Sequence, residues 1–277
     1  MSRVAKVKFT SYAASITRAL DLLDVPERLP QDGLIILKPN LTNRSRPPVT
    51  TNVEAIAALL DYCKERSTAQ LAIGEGTGSG ATPDVFEALG YRALAERHGA
   101  RLIDFNAEPA TVLHRAGTRQ LKEFHIPTVA QTAFIISVPV LKDHSFTTTT
   151  IAMKNMFGLA PAPFYKGSWN KSKLHSPSTH RSVVDVCLYK KPDLCVVDAA
   201  VALSGSHLFG TPRKLGLIFA GWDPVAVDAV ASRALGHDPS TIEYLRLANG
   251  VLGSMQNIDL ITDHPPSARD ANALGTT

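Results

Sequence analysis

Short apolar runs alternate along this chain with stretches of helical periodicity, and that alternation limits the folds open to it. Residues 33–37 (G-L-I-I-L), 70–73, 101–105, 133–138, 193–197 and 215–220 read as strands. Between the first two, residues 53–64 place Ile56, Leu59, Leu60 and Cys63 on one helical stripe. Residues 84–98 read as helix with a break at Gly90, followed later by helices over 181–189, 224–235 and 240–248. The start of 224–235 carries its own signal, with Asp223 at the N-cap and Pro224 at the first helical position. Strands alternating with helices predict an α/β fold with a mostly parallel sheet and helices on both faces. Such a sheet holds its ligand cleft at the carboxyl ends of its strands.

A chain of 277 residues suits a single α/β domain over 1–261, with two α/β lobes as the alternative arrangement. Residues 161–180, rich in Pro, Gly and aromatics, break the alternation and read as a lid-like insertion. Residues 262–277 are polar and read as a flexible C-terminal tail. The net charge of +4 comes from scattered Lys and Arg without a basic run, which argues against nucleic acid. Three cysteines (Cys63, Cys187 and Cys195) without a C-x-x-C exclude an iron–sulfur cluster and fit reduced thiols in a cytoplasmic protein. No apolar run reaches the roughly 18–20 residues of a membrane span, and the N-terminus lacks the apolar core of a signal peptide. Self-association is left open.

The strand ends single out Lys38-Pro39-Asn40, Gly74-Glu75-Gly76, Asp104, Lys142 with His144, Asp198 and Asp223. The densest polar chemistry follows the strand ending at Val138: Lys142, His144, four threonines from Thr147 to Thr150, then Lys154 and Asn155. Lys38 is either an ammonium aimed at a carboxylate or phosphate, or a lysine snorkelling at a strand end. Asn40 holds either the ligand or its own loop. The glycine-rich stretch 74–80 offers backbone N–H groups to an oxyanion through Gly76, or is simply a covering loop; it is neither a dinucleotide fingerprint nor a P-loop. Glu75 is a candidate base or metal ligand. His144 is the candidate general base, because imidazole titrates near neutrality and neighbouring lysines keep it unprotonated. Lys154 is an anion clamp or, if desolvated, an amine nucleophile, with Asn155 orienting it. Thr148 represents the hydroxyls, while Lys173 and His175, with Lys166, His180 and Arg181 nearby, are cations of the insertion. Glu75, Asp198 and Asp228 are the carboxylates that could hold a divalent ion.

Six motifs occur in order: K-P-N at 38–40, G-E-G at 74–76, L-K-D-H at 141–144, M-K-N-M-F-G at 153–158, V-V-D at 196–198 and D-P-V-A-V-D-A-V at 223–230. Together they resemble the family of domain of unknown function 362, over roughly residues 30 to 255. Many members carry ferredoxin-like cysteine segments; this chain resembles the form without them. A more distant likeness is to the nickel-pincer lactate racemase family, in which a histidine follows a strand and a lysine comes ten residues later. His144 and Lys154 have that separation, followed by Gly158 and Pro161. That likeness implies a metal or a lysine-anchored cofactor at Lys154, and histidines that move a substrate proton. The Gly-rich stretch of the racemases is replaced here by T-T-T-T-I-A-M.

These readings converge on an enzyme that moves a proton on a small anionic, carboxylate-type metabolite, in the manner of an isomerase, racemase or lyase. His144 is then the base, and Lys38 and Lys154 stabilise developing enolate charge. Two alternatives stand beside it: a non-catalytic protein that binds or delivers a cofactor, metal or metabolite, and a redox enzyme with a bound organic cofactor.

Overall fold

The apolar runs become strands because neighbouring elements cover both of their faces. The computed structural model describes residues 1–263. In chain order its strands are β1 (Ser2–Lys8), β2 (Leu34–Pro39), β3 (Gln70–Glu75), β4 (Arg101–Asp104), β5 (Ala110–His114) and β6 (Glu123–Pro127). There follow β7 (Phe134–Val138), β8 (Val140–His144), β9 (Thr148–Thr150), β10 (Leu194–Ser204), β11 (Thr211–Gly221) and β12 (Ile258–Thr262). The helices are α1 (Tyr12–Asp21), α2 (Val53–Arg66), α3 (Thr82–Ala88), α4 (Tyr91–His98) and α5 (Thr128–Thr132), then α6 (Ala152–Asn155), α7 (Ala162–Tyr165), α8 (Thr179–Tyr189), α9 (Pro224–Leu235) and α10 (Glu243–Ala248).

Ten strands form one sheet, whose main path runs β12-β1-β11-β10-β7-β2-β3-β4, with β8 beside β10 and β9 beside β8. The sheet is mostly parallel; β1–β11, β10–β11 and β8–β9 are its antiparallel pairings. β5 and β6 form a separate hairpin. Successive residues of β2 show why its run is unbroken: Ile35 and Leu37 enter the core packed with α1 and α2, while Ile36 enters the core on the other face. Helix starts follow their sequence signals. Asn52 caps α2 by accepting from Glu54 N at 3.0 Å, and Asp223 caps α9 by accepting from Val225 N and Ala226 N at 2.9 and 3.1 Å. Among the described residues no helix is long and apolar enough to cross a membrane.

Several boundaries differ from the sequence expectation. The runs at 193–197 and 215–220 belong to two longer, eleven-residue strands, β10 and β11, which pair antiparallel with a register shift between Ala199 and Val201. The expected helix over 240–248 divides at Ile242 into a 3-10 turn, Pro239–Thr241, and α10. Thr262, expected to begin a flexible tail, pairs with Lys6 as the last residue of β12; residues 264–277 lie outside the described residues.

The order of strands fixes where a ligand fits. From β2 the chain winds outward through β3 to β4, whereas β7 lies on the opposite side of β2. That reversal opens a crevice beyond the carboxyl ends of β2 and β7, where Lys38 pairs with Ser137 and Pro39 with Val138.

Candidate functional site

Beyond the switch between β2 and β7 lies a cavity of about 570 Å³. Its base is a buried ion pair. Lys38 Nζ donates to Glu75 Oε2 at 2.8 Å, to the Pro39 carbonyl at 3.0 Å and to Asn155 Oδ1 at 3.3 Å. Burial pulls the Lys38 ammonium down from its ordinary range, and Glu75 acts against that pull. Glu75 also accepts from Gly76 N at 2.9 Å and Leu41 N at 3.3 Å, so both of its oxygens are engaged. Asn155 joins three elements: its Nδ2 donates to the Lys38 carbonyl and Ser137 Oγ, each at 3.0 Å, and its Oδ1 accepts from Asn40 Nδ2 at 3.1 Å. Gly158 lies flat on the pair, since a Cβ there would stand 1.9 Å from Glu75 Oε1 and 2.4 Å from Lys38 Nζ.

Three more lysines face the cavity. Lys142 Nζ donates to Asn40 Oδ1 at 2.6 Å and to the Val49 carbonyl at 2.8 Å. Lys171 donates to the carbonyls of Gly76, Phe157 and Gly158. Lys154, only 8% exposed, differs from both. Its Nζ sits 3.8 Å from the centre of the Phe157 ring, with no hydrogen-bond or ion-pair partner among the described residues. Burial, followed by repulsion from Lys142, Lys171 and Lys38, lowers the Lys154 pKa to about 7. Burial likewise brings Lys142 and Lys171 to about 7. Glu75 is the carboxylate among the described residues lining the cavity, so the interior is electropositive.

The outer wall is aromatic. His144 and His207 stack with centroids 4.1 Å apart, and His175 lies parallel to His144 within 5°. His144 Nδ1 accepts the Phe146 backbone N–H at 3.0 Å. That bond leaves the ring proton of the neutral imidazole on Nε2. Burial, together with Lys154, His207, His175 and Lys142, holds His144 well below the usual imidazole range. Burial and Lys154 lower His175 to about 4; burial, Lys142 and Lys154 do the same for His207. Phe146 and Trp169, about half exposed, stand at the mouth.

The sequence model of a family described as Domain of unknown function (DUF362) matches residues 35–233. The chain belongs to that family. The thylakoid-associated protein sll1697 of Synechocystis sp. is 27% identical over 213 residues, which are 75% of this chain and 64% of that protein. The matched stretch thus spans less than two thirds of that relative's length.

In this family member most of the residues marked by the sequence share one site. Asn40, Glu75, Gly76, Lys142, His144, Lys154, Asn155 and His175 all line the cavity. Lys38 supports it from beneath through Glu75 and Asn155. Four candidates lie elsewhere. Lys173 is exposed and reaches the Phe164 carbonyl at 3.4 Å. Thr148 opens β9, paired with His144 and with a φ of 64°, and Thr150 lines the cavity in its place. Asp198 accepts from Tyr12 Oη at 2.8 Å and Ala200 N at 3.0 Å, away from the cavity. Asp228 accepts from Ala152 N at 2.8 Å, Met153 N at 3.2 Å and Tyr244 Oη at 3.1 Å, which seats α6 and with it Lys154. Glu75, Asp198 and Asp228 therefore do not converge. Among the described residues no three His, Cys, Asp or Glu side chains are grouped to hold a metal ion. Lys171 and His207 were not marked by the sequence. Lys171 lies in the irregular insertion, and His207 in the turn S-G-S-H-L-F-G between β10 and β11, whose glycines and ring residues were the available signal.

Proposed function

We propose that this protein is an enzyme that moves a proton on a small carboxylate bearing a carbonyl group, as an isomerase or lyase does. The observation that carries this reading is the amine of the buried Lys154, which lies over the Phe157 ring with no hydrogen-bond or ion-pair partner among the described residues, in a cavity lined by other lysines. With a pKa of about 7, Lys154 is substantially a free amine near neutrality, the state required of a proton acceptor. His144 then takes the opposite role from the one its side chain first suggests. Its Nδ1 is already occupied by the Phe146 N–H, and its Nε2–H is free to donate to a substrate carbonyl oxygen. Such a neutral imidazole stabilises enolate charge without giving up its proton. Lys142 and Lys171 share the pKa of about 7, and their carbonyl partners hold the protonated form, which supplies the positive potential that attracts the carboxylate. Lys38 and Glu75 hold the base of the site, Lys38 beneath the lining and Glu75 at its surface with both oxygens engaged. The ten-residue spacing shared with the lactate racemases supports this proton-transfer class. Lys154 also fits a covalently anchored organic group, whereas among the described residues the carboxylates do not gather into a metal centre. Three buried free thiols support cytoplasmic, reducing surroundings.

A second reading is favoured by a specific observation. Phe146 and Trp169 at the mouth, and Phe209 at 90% exposure beyond His207 and Leu208, suit a protein that binds a metabolite and delivers it at a surface. The association of the Synechocystis relative with thylakoids is in keeping with that role.

Deuterium uptake separates the two. A panel of 2-oxo and 3-oxo carboxylates is incubated with the protein in D2O and followed by proton NMR. Exchange at the carbon beside the carbonyl, lost in Lys154→Met, is the expected result. Binding of the panel without exchange would overturn the catalytic reading in favour of delivery.

A further inference from the structure

The charge of the same cavity constrains how many acid groups its ligand carries. Lys142, Lys154 and Lys171 line it, Lys38 lies beneath, and Glu75 is the carboxylate among the described lining residues. Glu75 is taken by Lys38 at 2.8 Å. Lys142, Lys154 and Lys171 are each buried, and none of them forms an ion pair with a carboxylate among the described residues. Lys142 spends two of its three protons on Asn40 Oδ1 and the Val49 carbonyl, which leaves one N–H for a ligand. Lys171 spends its protons on the carbonyls of Gly76, Phe157 and Gly158 and acts on a ligand through its charge. Carbonyl oxygens carry no net charge, so a buried ammonium held by them still lacks a counter-ion. With Lys154 a free amine, the charges of Lys142 and Lys171 both stay unbalanced.

A second observation concerns the chain around the cavity. Residues 33–53, 144–184 and 199–222 contain no Asp or Glu, and they contribute every lining residue except Lys142 and those within 75–80. Asp143, beside Lys142 in the sequence, is not part of the lining; its oxygens engage Gly205 N and His237 Nε2, each at 2.6 Å. The protein thus offers these two cations no acid of its own, and the counter-charge falls to the ligand. A volume of about 570 Å³ is that of a site enclosing a whole small metabolite, so two acid groups fit inside it.

We infer that the ligand is a small dicarboxylate, whose second acid group balances the second positive charge of the cavity. This rests on the anion-site reading above and adds the number of acid groups; it does not depend on turnover. A monocarboxylate of the same length would leave one buried ammonium without a counter-ion.

Isothermal titration of the full chain with length-matched pairs tests it: malonate with propionate, succinate with butyrate, glutarate with pentanoate. The titrations are run at about 0.15 M salt, where attraction between exposed charges is screened beyond about 8 Å. In the pair whose length fits, the dicarboxylate is expected to bind about tenfold tighter or more. Lys171→Gln, which removes a cavity charge, should narrow that ratio. Lys173→Gln removes an exposed charge outside the lining and should leave it unchanged. Equal affinity within all three pairs overturns the dicarboxylate while leaving the anion site standing, and this wild-type result decides the matter if Lys171→Gln does not fold. A ratio that survives Lys171→Gln, or that falls as far in Lys173→Gln, overturns it too. Failure of every acid to bind overturns the anion site and the dicarboxylate together.

Discussion

Gly158 shows how little room the buried pair leaves. Its missing side chain lets the backbone rest against Glu75 Oε1 and Lys38 Nζ, and a methyl group 1.9 Å from the carboxylate forces one or both side chains to shift. Gly158→Ala should therefore push the pair apart. Separating a buried ion pair costs about 3–5 kcal/mol, read as a lower urea midpoint. An unchanged midpoint would show that the pair adjusts freely. At this scale much of the site was legible. Lys38, Asn40 and Glu75 stand at strand ends, where α/β sheets place ligands, and His144 and Lys154 follow one buried strand. Lys171 was not legible, because its placement depends on a left-handed backbone (φ 61°) inside an irregular insertion without periodicity. Asp198, read from the sequence as a strand end, lies inside β10, and its partner Tyr12 lies far away in the sequence.

The element that presents Lys154 is only four residues long, and a helix so short has little stability of its own. Asp228, on the fully buried face of α9, supplies what α6 lacks by accepting from the N–H groups of Ala152 and Met153. Burial raises the pKa of this carboxyl to about 7, against which the two backbone donors and Tyr244 act. Asp228→Ala leaves those groups buried and unpaired, at a cost of about 2–4 kcal/mol. The unfolding midpoint should fall, and Lys154-dependent deuterium exchange should fall with it. Loss of stability with full exchange would mean that α6 keeps its place without its cap. Asp228 was read from the sequence as a carboxylate that could hold a divalent ion, and its role as a cap was not legible because α6 has no N-capping side chain of its own. Strand cores were legible where both faces are buried. The ends of β10 and β11 were not, because a register shift interrupts their pairing and the start of β11 is polar and exposed.

Over the whole molecule, the lysines make a pH dependence that the surface does not. Lys142, Lys154 and Lys171 titrate near about 7 in the fold, whereas an ordinary lysine in the unfolded chain titrates near about 10.4. Between those values these lysines hold more protons in the unfolded chain, so their contribution to stability rises with pH and is lost again as pH falls back to about 7, while the raised buried thiols Cys63, Cys187 and Cys195 oppose the rise above about 8.5. His175 and His207, lowered to about 4, add the same slope between about 4 and 6.5, where raised Asp228 opposes it. The Tm should therefore rise from pH 7 to 9. Saturating acetate should flatten that rise by favouring the protonated lysines of the folded state. A Tm that falls over this window, or an acetate-independent slope, would contradict the buried-cation account. The central claim rests on Lys154 itself, and competitive labelling of lysine amines with an anhydride, read by peptide mass spectrometry from pH 5 to 10, tests it most directly. Labelling of Lys154 is predicted to rise with a midpoint near about 7, against about 10.4 for a reference lysine peptide in the same tube, and to be suppressed by carboxylates. A Lys154 midpoint that matches the reference peptide would contradict the account.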